Sequence, residues 1–276
     1  MGGVQEGASP IHRVTVTKMI MKRIVLFWLV FLIGCSLAAA GGPAAPLNAD
    51  SSLDQILDAL EARGQNLKDF SADVSMSATD ALGSGTSTSS GKVYYQAKGE
   101  GDARMRVDFD TRKIGNKVEK DAKLEYLLDK GWLIEQDYRH KTQVDRQVLK
   151  PGQKINLLKL GEGPFPLPIG QPRQEVLKMF EVKKVPPGAN DPADTLHVQL
   201  NPKPGSQFAK KFKSIDVWVD LKTNFPRRIE TVDANQTEIK DTDLTNIQVN
   251  QGLTDRQFTL EQTPETWTHR TEEMSE

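Results

Sequence analysis

Most of this chain alternates. In "FSADVSMSA" the residues Phe70, Ala72, Val74, Met76 and Ala78 take every second place against small polar residues. That is the period of a strand with one apolar and one wet face. The same period returns with Val93 and Tyr95 in "GKVYYQA" and with Met105, Val107 and Phe109 in "ARMRVDF". It recurs in "FEVKKV", "TLHVQLNPK", "SIDVWVDLKT", "FPRRIETVDA" and "QTEIKDTDLTNIQVN". A sheet with one apolar face must cover that face, and no other feature of the sequence constrains the fold as strongly.

The candidate cover is short. "SSLDQILDALEARGQ" carries Leu53, Ile56, Leu57 and Leu60 at i, i+3, i+4 and i+7, one stripe of a helix. Ser51 with Asp54 reads as its capping box and Gly64 as its stop. Pro172 opens a second, shorter helix, "PRQEVLKMF", in which Val176, Leu177 and Phe180 share a face. Between the two, "LKPGQKINLLKLGEGPFPLPIGQP" breaks the alternation with Pro and Gly and is expected to cross an edge or cover an opening. "LEYLLDKGWLIEQDY" reads as a hairpin with Gly131 left-handed in an Asp129-Lys130-Gly131 turn. That turn is expected to set Leu124, Tyr126 and Leu128 opposite Trp132 and Ile134. The sum is a mainly β chain with roughly ten strands, one long helix and one short helix, in an antiparallel sheet curled around helical cover. Whatever the helices leave uncovered is either filled by side chains or left as a cavity.

The N-terminal region has a different composition. Lys22 and Arg23 precede ten apolar residues, Ile24 to Ile33. A membrane-spanning helix needs about 20, so this run reads as the core of a signal peptide. Met21 would begin a conventional leader, leaving residues 1–20 as an over-long start. Two cleavage sites compete. Leu32-Ile33-Gly34-Cys35 resembles a bacterial lipobox, which would make Cys35 an acylated first residue. Ala38-Ala39-Ala40 also satisfies the small-x-small rule. Cys35 is the only cysteine, so no internal disulfide is available. Residues 36–50 are small and nearly uncharged and read as a flexible tether. Residues 51–267 form the folded domain, and residues 268–276 a tail.

Removing residues 1–35 takes four basic residues and one acidic residue, moving the net charge from −1 to −4. That mild acidity argues against nucleic acid as a partner. No catalytic constellation, metal-ligand spacing or cofactor motif is visible. His140 and His197 stand without ligands at metal spacing and read as surface residues. Asp241 and Asp243 read as the wet face of a strand, and Arg104 and Arg106 as ordinary exposed arginines. Trp218 is out of phase with Ile215, Val217 and Val219, which sends it to the opposite face or a rim. Trp267 reads as a pin for the C-terminus.

Several of these segments, taken in order, resemble the LolA/LolB-type periplasmic lipoprotein carriers and their sensor relatives. The resemblance is carried by "FSADV…GKVYYQ", the hairpin "LLDKGWLIEQDY", Leu200-Asn201-Pro202-Lys203, Asp220…Pro226, Asp233-Ala-Asn-Gln and Phe258…Pro264. It implies an unclosed antiparallel β-barrel, covered by one long and one short helix, whose apolar concave face binds acyl chains of lipid or lipoprotein. The cavity candidates are then Val74, Met76, Val93, Tyr95, Met105, Val107, Phe109, Tyr126, Leu128, Trp132 and Ile134. It further implies a non-enzymatic envelope protein acting in lipoprotein sorting or transport, and the lipobox-like Leu32–Cys35 would hold it at a membrane surface through lipid on Cys35. The alternative within the same family is a periplasmic sensor or scaffold that binds a partner protein. One departure stands out. Carriers often have an Arg-Pro pair after the strand matching "GKVYYQ"; here the residues are Ala97-Lys98-Gly99-Glu100, so the release role of that arginine does not carry over.

Overall fold

The computed structural model describes residues 46–80, 85–99, 102–150, 152–153, 157–158 and 169–274. The leader, Cys35 and residues 36–45 of the expected tether lie outside the described residues.

Helix α1 (Leu53–Gln65) begins at Ser52, whose hydroxyl accepts from the Gln55 N–H at 3.2 Å while Gln55 Oε1 accepts from the Ser52 N–H at 2.7 Å. The capping box is therefore one residue later than Ser51–Asp54. Ser51 is occupied elsewhere, accepting from the Asn48 N–H at 2.9 Å. That turn fixes the chain entering the helix, and Leu47 just before it is buried, its N–H donating to the Leu221 carbonyl at 2.9 Å. The described end of the expected tether is thus packed, because Leu47 is an apolar residue within reach of the core.

Strands β1 (Asp69–Asp80), β2 (Thr86–Gly99), β3 (Asp102–Ile114), β4 (Lys117–Val118), β5 (Leu124–Asp129), β6 (Trp132–Asp137) and β7 (Thr142–Gln147) follow. Helix α2 (Arg173–Met179) leads directly into β8 (Phe180–Val185). Then come β9 (Thr195–Pro202), β10 (Phe212–Asp220), β11 (Pro226–Asp233), β12 (Glu238–Val249), a 3₁₀ turn at Asp255–Phe258, and β13 (Thr268–Glu272). All belong to one 13-stranded sheet in the order β13-β7-β6-β5-β3-β2-β1-β12-β11-β10-β9-β8, with β4 paired to β3. Its two ends, β13 and β8, do not pair with each other, so the sheet is unclosed: a half-barrel, with the helices packed on it.

Three expectations need correction. Residues 268–272 are not tail: they form β13, and the pair β13–β7 is parallel in an otherwise antiparallel sheet. "THRTE" lacks an apolar period, but the free edge of β7 supplies backbone partners that no side-chain pattern announces. Trp267, just before it, packs edge-on against Tyr138 at 5.0 Å between ring centroids, which is the pinning role expected of it. In the β5–β6 hairpin, Lys130 and Gly131 both have positive φ, 51° and 81°, and Asp129 pairs with Trp132. This is a two-residue type I′ turn, one residue shorter than expected. Leu128 therefore faces Leu133, and Ile134 faces Leu127. A one-residue change of register moves side chains to the other face, so Trp132 and Ile134 lie on the face opposite Tyr126 and Leu128.

The inward face of the sheet and the apolar stripe of α1 make one core. Phe70 lies at its centre, fully buried, stacked on Tyr95 at 5.5 Å and edge-on to Phe225 at 5.0 Å. Where β2 bulges against β3, the Asp108 carbonyl lies 1.7 Å from where a Cβ on Gly91 would be, so only glycine fits that crossing.

Candidate functional site

The concave face gathers most of the candidate residues. Val74, Val93, Tyr95, Met105, Val107, Phe109 and Leu128 are buried in the one core, with Met76 and Tyr126 packed against it. Trp132 and Ile134 do not join them. Across this face lie α1, α2 and two pieces of the long connection between β7 and α2. Leu157 and Ile169 are fully buried and Leu158 nearly so. The described pieces of the connection, residues 157–158 and 169–170, therefore pack into the core on this face. The described side chains on this face pack into one core. Burial pushes the Tyr95 hydroxyl up to about 12, and the Tyr126 hydroxyl likewise to about 12, with Glu135 and Asp137 adding to the effect.

The filling is incomplete at the C-terminal end of α1. A pocket of about 270 Å³ opens there between Gln65, Leu67, Tyr95, Ala97, Asp102 and Ala103 on one side and Leu158, Ile169 and Gly170 on the other. Its roof is a close backbone crossing. A Cβ on Gly64 would sit 2.2 Å from the Gly170 Cα, and the Gly170 N–H donates to the Leu60 carbonyl at 3.0 Å. Gly64 does not stop the helix, which runs on to Gln65; it lets the cover lie on the helix backbone. The pocket is slightly smaller than the range of about 300–1,000 Å³ typical of ligand sites. Displacing Leu158 and Ile169 would extend it along the core. Of the candidates named from the sequence, Tyr95 alone lines it.

The convex face is also covered in part. Residues 253–267 run across it as a strap. Gln96 Nε2 donates to the Leu253 carbonyl at 2.7 Å, Arg106 to the Thr259 carbonyl at 2.6 Å, and Gln136 Nε2 to the Glu261 carbonyl at 3.0 Å. Arg104 is buried, bonded to Gln96 and to Asp255 at 2.6 Å and stacked over Phe258 at 4.1 Å. Arg104 and Arg106 are thus structural residues beneath the strap, not exposed ones. Arg106 also pairs with Asp108 at 2.6 Å and with buried Glu125 at 2.7 Å. Burial pushes the Asp108 carboxyl up despite Arg106. Glu125 is also penalised by burial, but Tyr138, Lys123 and Arg106 hold it below its ordinary value.

Further along the convex face, His197 is not a surface residue either. It stacks on Trp218 at 4.2 Å, with Nε2 2.8 Å from Asp216. Arg228 lies over the same indole at 4.8 Å and pairs with Asp241. Trp218 does face away from Ile215, Val217 and Val219, yet it is buried, sandwiched by His197 and Arg228. Among the described residues, no group of His, Cys, Asp and Glu has the arrangement to hold a metal ion, and no helix is long and apolar enough to cross a membrane.

No family model matches the chain, and no curated protein matches it by sequence. Solved structures do match. LprF from Mycobacterium bovis is similar at 15% identity over 72% of this chain and 93% of its own, with a TM-score of 0.41. The MucA/MucB complex from Pseudomonas aeruginosa is similar at 11% identity over 75% of this chain and 60% of that one, with a TM-score of 0.41. A LolA superfamily protein from Nitrosomonas europaea is similar at 11% identity over 76% of this chain and 98% of that one, with a TM-score of 0.29. The half-barrel of this chain is defined by its own strand pairings.

Proposed function

We propose that this protein is a non-enzymatic binding protein of the bacterial cell envelope that takes acyl chains of lipid or lipoprotein onto the concave face of its half-barrel. The observation that carries the reading is the pocket at the end of α1, where Tyr95 and Ala103, both part of the core, lie beside the polar Gln65 and Asp102. Its cover, Leu158 and Ile169, belongs to a connection rather than to the sheet. An acyl chain entering there would replace those side chains against the same apolar surface. Burial is worth about 0.8 kcal/mol per methylene, so a chain of ordinary lipid length has ample drive to displace a cover of a few residues. Lipid on Cys35 would hold the protein at a membrane surface; two or three acyl chains anchor stably where one binds only marginally.

Native mass spectrometry of the protein purified from its host tests the reading. Co-purifying lipid is expected. A persistently empty protein would favour a second reading, which the packed concave face supports: a scaffold that uses the same half-barrel to bind a partner protein. Retention of a stable partner after delipidation would support that alternative.

A further inference from the structure

A second recess lies beside α1, where the chain enters the fold. It has a volume of about 350 Å³. One wall is the entering chain, Pro46, Leu47 and Ser51 included, and the other is the helix, through Gln55, Asp58, Ala59 and Ala62. Those four helix positions fall at i, i+3, i+4 and i+7, one stripe along α1. Gln65 continues the stripe three residues further on, and Gln65 lines the pocket at the end of the helix. Recess and pocket therefore follow one another down the same side of α1, from Pro46 to the concave face.

The chain before Pro46 is long enough to follow that path. The helix has 13 residues, a length of about 20 Å. Residues 36–45 join Cys35 to Pro46, and ten residues span up to about 33–36 Å when extended. A group attached to Cys35 can therefore come to the pocket without any change in the fold. The composition suits the path as well. "SLAAAGGPAA" carries no charge and one large side chain, Leu37, and Ala59 and Ala62 leave room for a backbone against the helix.

We infer that the resident occupant of the pocket is the protein's own lipid: one acyl chain on Cys35, led along α1 by residues 36–45. The inference rests on the acyl-chain reading and adds a regulation of the same site. A chain that leaves a bilayer for an apolar pocket gains little from burial, since both surroundings keep it from water. The tether decides the competition instead. It holds its own chain at an effective concentration in about the millimolar range, which an acyl chain from outside must exceed. Cargo that enters the pocket returns the resident chain to the bilayer, and each chain so returned strengthens the anchor.

The test uses cells that produce the full chain and are fed a palmitate bearing a diazirine and an alkyne, so that the probe enters the lipid on Cys35. Irradiation before lysis fixes the contacts, and mass spectrometry maps them. A crosslink within the molecule is expected, from the Cys35 lipid to peptides holding Tyr95, Ala103 or Leu158. Ala97→Trp fills the pocket from the sheet side and should abolish the crosslink. Ala62→Trp fills the recess and should do the same. Neither Ala97 nor Ala62 is fully buried, so the fold has room for both. Purified Cys35→Ser, which carries no lipid, should take free probe into the pocket more strongly than the lipidated parent. Three results would each overturn the inference: a mature chain without an acyl group on Cys35, crosslinks that run only to membrane lipid or other proteins, or a yield unchanged in both tryptophan variants. In each of these cases, free probe in the pocket of Cys35→Ser would leave the acyl-chain reading standing, and its absence would remove that reading too.

Discussion

Gly64→Ala puts a methyl group into the crossing between α1 and its cover. The new Cβ would stand 2.2 Å from the Gly170 Cα and 2.3 Å from its nitrogen. Both are backbone atoms, so no side chain can swing aside and the cover must lift. Lifting removes the bond from the Gly170 N–H to the Leu60 carbonyl, worth about 0.5–1.5 kcal/mol net. It also loosens Ile169, which is fully buried; full exposure of such a side chain costs about 1.5–3 kcal/mol. Alanine returns about 1 kcal/mol as the better helix former. The net effect is a destabilisation of about 1–3 kcal/mol. Urea unfolding should show the lower midpoint at an unchanged slope, and hydrogen exchange should show the Gly170 amide losing protection. If the cover gates the concave face, the variant should also bind a fluorescent fatty acid more readily than the parent. A variant as stable as the parent, with the Gly170 amide still protected, would refute the reasoning from this crossing.

Phe70→Ala empties the centre of the core and should cost about 3–5 kcal/mol in urea unfolding. Arg104→Ala removes the bonds to Gln96 and Asp255 and the stack on Phe258. Local opening of the strap should then speed tryptic cleavage at Arg256 by about tenfold or more, while the far-UV spectrum stays unchanged. Glu125 supplies a pH dependence with a definite sign. Its carboxyl is held below its ordinary value in the folded chain. The ionised form therefore adds stability that is present above the unfolded value and is lost as pH falls through the folded one. Urea midpoints measured downward from neutral pH should fall less steeply below pH ~4.3 in Glu125→Gln than in the parent.

How much was legible depended on how local the cause was. Alternation at Val74, Val93, Met105 and Val107 is written in neighbouring residues, and those side chains reach the core as the period requires. The phase of Trp132 and Ile134 turned on one residue of loop length. Lys130 at positive φ is uncommon for a side-chain-bearing residue, and nothing in its type announces it. The strap was illegible for another reason. Residues 253–267 have no period, so their folding back over β3, β5 and β6 had no sequence signal. With the strap unseen, Arg104 read as an ordinary exposed arginine, although it is buried, as is Gln136. One signal was available: Arg104 and Arg106 share a face with Glu125 and Gln136, a dense polar set for an open sheet surface. The Gly64–Gly170 contact likewise joins two glycines that each looked like ordinary punctuation.

The most direct test of the central claim is to irradiate the full chain with a diazirine-bearing palmitate and map the labelled peptides by mass spectrometry. The account predicts saturable labelling of the concave lining around Leu67, Tyr95 and Ala103, with Leu158 and Ile169 more exposed to hydrogen exchange when the probe is bound. Labelling confined to exposed residues, or a cover that stays protected at saturation, would contradict it.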